Sequence, residues 1–113
     1  MGASSYVLAG TGNERALCSA CHGAGRSLSR GRSRLVPEKT YARTLESLRV
    51  VTPIDPNAHE VRRRRDVLAQ YHDRLKEEAP YAYKDITPVI HTVGEAEIAR
   101  PVARLWPLLT IKG

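Results

Sequence analysis

Apolar and polar positions change period several times along the chain, and each change marks an element. Ser5-Tyr-Val-Leu-Ala9 is a short β-prone run closed by Gly10-Thr-Gly12, which predicts a strand running into a turn. Residues 13–21 show no clear period. From Gly23 to Gly31 small residues mix with Arg and Ser, predicting a loop that feeds a short basic helix from about Arg26. Pro37 suits the first turn of a helix through about Leu48, with Tyr41, Leu45 and Leu48 on one face. Pro53 and Pro56 interrupt it, and Asn57 can cap a longer helix to about Glu78, on which Val61, Leu68, Tyr71 and Leu75 keep roughly helical spacing. After Pro80 an aromatic loop, Tyr81-Ala-Tyr-Lys84, leads to a short apolar segment around Val89–Val93 that fits a helix, and from Pro101 onward the chain reads as extended. The fold class is therefore mixed α/β, with strands near both ends and two or three helices between them.

Composition sharpens this picture. With 113 residues, 42% of them hydrophobic, one small core is the most the chain can build. Aromatics are scarce, with one Trp and no Phe, so Leu, Val, Ile and Ala are expected to fill that core. A net charge of +6 favours anionic partners such as RNA or nucleotide phosphates. Cys18 and Cys21 are too few and too close for a secreted disulfide framework, which points to a reducing, cytoplasmic setting. Residues 1–10 lack the basic start and long apolar stretch of a signal peptide, and no run approaches the ~18 apolar residues a membrane span needs, so no membrane association is expected.

The densest chemical signal is Cys18-Ser-Ala-Cys21-His22-Gly-Ala-Gly25-Arg26-Ser-Leu-Ser29-Arg30, and three readings compete for it. Cys18-x-x-Cys21-His22 matches the attachment pattern of c-type haem, although the only Met is Met1, which disfavours a Met axial ligand. The same side chains could bind zinc with one of His59, His72 or His91, but no second paired ligand set follows. The third reading uses the glycines and arginines. Gly23 and Gly25 remove side chains beside His22, so backbone N–H groups can approach a phosphate. Arg26 and Arg30, four residues apart, would share one helix face and suit phosphate contacts. An imidazole lone pair can attack phosphorus and form a phosphoramidate. The run Arg62-Arg-Arg-Arg65 also attracts phosphate in principle, but with Glu60, Asp66 and Asp73 nearby it reads as a solvated face.

Four blocks in order extend the motif: residues 1–9 (MGASSYVLA), 20–30 (ACHGAGRSLSR), 77–86 (EEAPYAYKDI) and 98–113 (IARPVARLWPLLTIKG). Together they resemble successive C-terminal blocks of the RtcB family of RNA ligases, while residues 31–76 resemble it only weakly. The resemblance implies that residues 1–113 are the C-terminal part of such a ligase's catalytic domain. It further implies that His22 is the guanylylated nucleophile and that Ser5, Gly23, Ala24, Gly25, Tyr83 and Lys112 help bind GMP or GTP. Arg26 and Arg30 match residues that hold RNA or nucleotide phosphate. The implied activity joins an RNA 3'-phosphate or 2',3'-cyclic phosphate to a 5'-hydroxyl, with GTP and manganese, on tRNA halves or damaged RNA, with an archease-type activator as a further partner. In the family the manganese ligands belong to a large N-terminal body that is expected to be absent here, so no metal ligand is assigned. The competing expectation is a non-catalytic RNA- or nucleotide-binding remnant.

Overall fold

Strand β1 (Ser5–Gly10) forms where Tyr-Val-Leu favours extended backbone, and it pairs antiparallel with β3 (Ala99–Leu105). Ser5 lies opposite Leu105 and Gly10 opposite Ala99, with a register shift between Val7 and Leu8 that leaves Val102 unpaired. Pro101 is tolerated in β3 because the sheet has only these two strands, so each has a free edge. The computed structural model describes residues 1–113. A second, shorter pairing joins β2 (Val50–Val51) in parallel to β4 (Thr110–Ile111), extended by Thr110 N–H to the Arg49 carbonyl (2.7 Å) and Lys112 N–H to the Val51 carbonyl (2.9 Å).

Five α-helices lie between the terminal strands, more than the two or three expected: α1 (Arg30–Arg34), α2 (Glu38–Glu46), α3 (His59–Arg62), α4 (Arg65–Glu78) and α5 (Thr87–Glu95). Two boundaries differ from expectation. The basic helix begins at Arg30 rather than Arg26, because Ser29 caps it by accepting from Arg32 N–H at 3.3 Å. The long helix expected from Asn57 to Glu78 is two helices, and Asn57 makes no side-chain cap bond. The break falls inside the arginine run, where an unbroken helix would crowd four cations into about one turn. All four arginines are exposed, and Arg64 chelates Asp66 at 3.0 and 2.7 Å, drawing its carboxyl down to about 2.

Helix α4 organises the centre, with α1 and the 3-10 turn Pro80–Ala82 packed against it. The core is largely the aliphatic one expected, with Leu75, Ala79, Ala82, Val93 and Ala99 buried, but Tyr41 is its largest fully buried side chain and the hydroxyl-bearing Ser33 is buried as well. Tyr41 can sit there because its hydroxyl bonds His72 Nδ1 at 2.8 Å, and burial pushes the phenol well above its usual range. Trp106, by contrast, is 66% exposed, with the Arg104 guanidinium 4.2 Å from its ring centroid.

The radius of gyration is 17.4 Å and the extents are 56 × 25 × 23 Å, whereas a compact chain of this length would have a radius near 13 Å. The accessible surface of 8421 Å² exceeds the roughly 6,200 Å² expected for a compact monomer of this mass. Much of the uncovered apolar surface lies on β3 and after it, at Val102, Leu105, Trp106, Leu108 and Ile111. No helix is long and apolar enough to cross a membrane.

Candidate functional site

The glycine-rich segment is fastened to the aromatic loop by backbone hydrogen bonds. Ser27 and Leu28 N–H groups donate to the Ala82 carbonyl at 2.9 and 3.2 Å, Lys84 N–H donates to the Gly25 carbonyl at 3.0 Å, and Arg26 and Tyr83 form an antiparallel bridge. The segment reaches this alignment through Gly25, which alone of Gly23 and Gly25 takes a positive φ (+75°). A Cβ on Gly25 would meet no atom within 4 Å, so Gly25→Ala should destabilise only through the backbone, by about 1–2 kcal/mol. Gly23→Ala should be near neutral, and urea titration of the two variants checks the contrast.

This joint puts Ala24 and Tyr83 on the same cleft as Ser4 and Ser5 from the start of β1, with Lys84 and Ile86 also lining it. The cleft holds about 260 Å³, just under the roughly 300–1,000 Å³ of usual ligand pockets. It can therefore take part of a nucleotide rather than enclose one. His22 lies two residues before Ala24, so its Cα is within about 7 Å of that residue. Its ring is exposed and makes no hydrogen bond in the structure, leaving both nitrogens open to a reactant.

The remaining expected residues take other places. Lys112 lines a separate cavity of about 100 Å³ with Thr52, Ile54, Tyr71, Arg74 and Leu75, although its charge is felt at Glu78. Arg30 has a side chain 68% exposed, with its Nε 3.7 Å from Glu77, so it faces solvent as a phosphate contact requires. Arg26 turns inward. Its Nε donates to the Leu28 carbonyl (3.0 Å), Nη1 to the Tyr83 hydroxyl (3.1 Å), and Nη2 to Ser33 Oγ (3.1 Å) and the Glu77 carbonyl (2.6 Å). Its guanidinium also lies 4.9 Å from the Tyr83 ring centroid. Arg26 and Arg30 thus do not share a helix face, because the helix starts between them.

Glu78 is the site residue that sequence reasoning missed. Its carboxylate accepts from the Tyr83 hydroxyl and lies 3.8 Å from Arg26 Nη1. Burial pushes this carboxyl up, but the Tyr83 hydrogen bond and the charges of Lys112, Arg26 and Arg30 outweigh it and hold the group below its usual range. The bond to Glu78, reinforced by burial, in turn raises the Tyr83 phenol. A signal was present: Glu77 and Glu78 end α4, where the helix dipole disfavours carboxylates, so their placement demands cations. Arg34 and Arg30 serve Glu77, and Arg26 serves Glu78.

The family model described as tRNA-splicing ligase RtcB matches residues 1–113. The chain belongs to the RtcB family. It is 40% identical over 115 residues to RNA-splicing ligase RtcB homolog 1 of Entamoeba dispar. Over 116 residues it is 38% identical to tRNA-splicing ligase RtcB of Methanopyrus kandleri. Both alignments cover 100% of this chain, but only 19% and 10% of those two relatives. The RtcB match also reaches across residues 31–76, where the motif blocks alone gave little. Manganese, implied by the resemblance, does not fit these residues by themselves: no three His, Cys, Asp or Glu side chains gather into a group that could hold a metal ion.

Proposed function

We propose that this chain carries the guanylate-accepting part of a GTP-dependent, RtcB-type RNA ligase. The observation that carries the reading is the joint between residues 25–28 and 82–84, which brings Ser5, Ala24 and Tyr83 onto one cleft beside an exposed, unbonded His22. A His22 ring nitrogen attacks the α-phosphorus of GTP; an N–P bond forms, the bond to pyrophosphate breaks, and the ring's other nitrogen releases its proton. An RNA 3'-phosphate oxygen then attacks the same phosphorus and breaks the N–P bond, leaving guanylate on the RNA. A 5'-hydroxyl finally attacks the activated 3'-phosphate, and GMP departs.

The chain's own residues contribute binding and orientation. Tyr83 offers an aromatic surface to guanine, Ser5 a hydroxyl, and the backbone of Gly23–Gly25 donors to phosphate. Arg30 faces the RNA backbone, and the +6 net charge favours that approach. Tetherable ends such as tRNA halves or damaged RNA are the proposed substrates, an archease-type protein a proposed activator, and the cytoplasm the proposed setting.

A second reading is favoured by the missing metal-ligand group and by the small cleft: a non-catalytic module that binds RNA or nucleotide. Incubating the chain with α-labelled GTP and manganese separates the two. Acid-labile label on the protein supports the ligase reading. RNA retention without label supports the module, and neither label nor retention rejects both.

A further inference from the structure

Glu78 does not line the proposed guanylate cleft, but it bonds Tyr83, which does. Three facts define its role. Its carboxylate receives the Tyr83 hydroxyl, and Arg26 donates to that same hydroxyl oxygen at 3.1 Å. The Arg26 guanidinium covers the Tyr83 ring from 4.9 Å, so one face of the ring is occupied by protein while the ring still lines the cleft. Arg26 is itself fixed by Leu28, Ser33 and Glu77, so the position of Tyr83 is referred back to α1 and the end of α4.

Resting on the guanylate reading, we infer that Glu78 is a positioning residue: with Arg26 it clamps the Tyr83 hydroxyl, setting the angle at which the ring meets a guanine base. The ring has two torsions, and its aromatic face alone does not select either. A hydroxyl gripped by a carboxylate on one side and a guanidinium on the other does select them. The carboxylate gains as well, because at a helix C-terminus it is poorly placed without those donors. Glu78 therefore acts on the nucleotide through Tyr83 and does not touch it.

The probe is GMP, titrated against the full chain by calorimetry. Glu78→Met, which removes both acceptor oxygens at similar volume, should weaken GMP binding about tenfold, a coupling usual for residues in one network. Glu78→Gln keeps an acceptor for the hydroxyl and should stay within about threefold of wild type. In a Tyr83→Phe background, Glu78→Met should add nothing. Independent, multiplying losses in the double variant would overturn the inference by making Glu78 a direct ligand, and an unchanged affinity in Glu78→Met would overturn it outright.

Should the wild-type chain not bind GMP, the guanylate reading fails, while the clamp is still decided by NMR of ring-labelled tyrosine. In Glu78→Met the Tyr83 phenol should then ionise at lower pH, because the hydrogen bond that leads its upward shift is gone, and its contacts to Arg26 should weaken. A Tyr83 titration identical to wild type removes the clamp.

Discussion

His22→Ala will abolish protein-bound label from GTP, with no residual slow phase. The expectation rests on chemistry near the cleft. Of the side chains at the cleft, His22 and Lys84 are both exposed and able to form an N–P bond, and only the imidazole stands in the glycine-flanked segment whose backbone N–H groups can meet phosphate. Two other nucleophiles stand nearby: Lys84, whose amine would also give a phosphoramidate, and Cys21, an exposed thiol whose Sγ lies 3.0 Å from the Gly23 carbonyl. Lys84→Ala and Cys21→Ser should therefore label as wild type does, and the label should be released by acid and survive alkali, as a phosphoramidate requires. Ser4 and Ser5 line the cleft, but a serine ester would resist acid, so the release profile separates serine from the nitrogen nucleophiles and the variants separate His22 from Lys84. Label persisting in His22→Ala would sink the assignment. Arg30→Ala should leave labelling intact and instead lower RNA retention, reducing the salt dependence of binding by about one phosphate contact.

Arg26→Ala should cost about 3 kcal/mol of stability, the largest loss expected from any single polar replacement here. The side chains of Arg26 and Glu78 are 23% and 26% exposed, so solvent screens them only in part. Truncation leaves the fully buried Ser33, the Glu77 carbonyl, the Tyr83 hydroxyl and the Glu78 carboxylate short of a donor at once. Arg26→Lys should recover little, because a single ammonium cannot span four acceptors set around a planar fork. Denaturant titration reads the loss, and a midpoint within experimental error of wild type would show that the clamp contributes nothing.

The same network sets a pH window. Glu78 is held below its ordinary value in the folded chain, so its contribution is complete above the unfolded carboxyl's titration and fades as pH falls through the depressed folded value. Tyr83 is raised, so its contribution is complete below the unfolded phenol's titration and fades as pH rises through the raised folded value. Wild-type stability should fall at both ends, below about pH 4 and above about pH 10. Arg26→Ala should show a shallower acid limb, since part of what depresses Glu78 is gone.

Local period made several elements legible. β1 appears where a β-prone run closed by glycines predicts it, α2 where three-to-four spacing does, and α5 where an apolar segment around Val89–Val93 follows the aromatic loop. β2 was not legible, because two residues carry no period and the strand exists only through β4, some sixty positions later. The start of α1 was misjudged because Arg26 favours helix as well as Arg30 does, and the cap that decided the matter is one Ser29 hydrogen bond. Spacing put Tyr41 on a helix face with Leu45 and Leu48, but not that it would be fully buried, because its hydroxyl is met by His72, 31 positions away.

By its order of residues alone the chain declared its RtcB family and its mixed α/β class, because the motif blocks and the local periods are linear signals. Which way each cation points was decided only on folding. Arg26 and Arg30 share a motif and a charge, yet one is drawn inward by Tyr83, Glu78 and Ser33 while the other stays in water. Lys112, near Glu78 in charge, lines a different cavity from Tyr83. A guanidinium's partner is set by the carboxylates and carbonyls that distant segments bring within about 3 Å, and no spacing along the chain encodes that meeting.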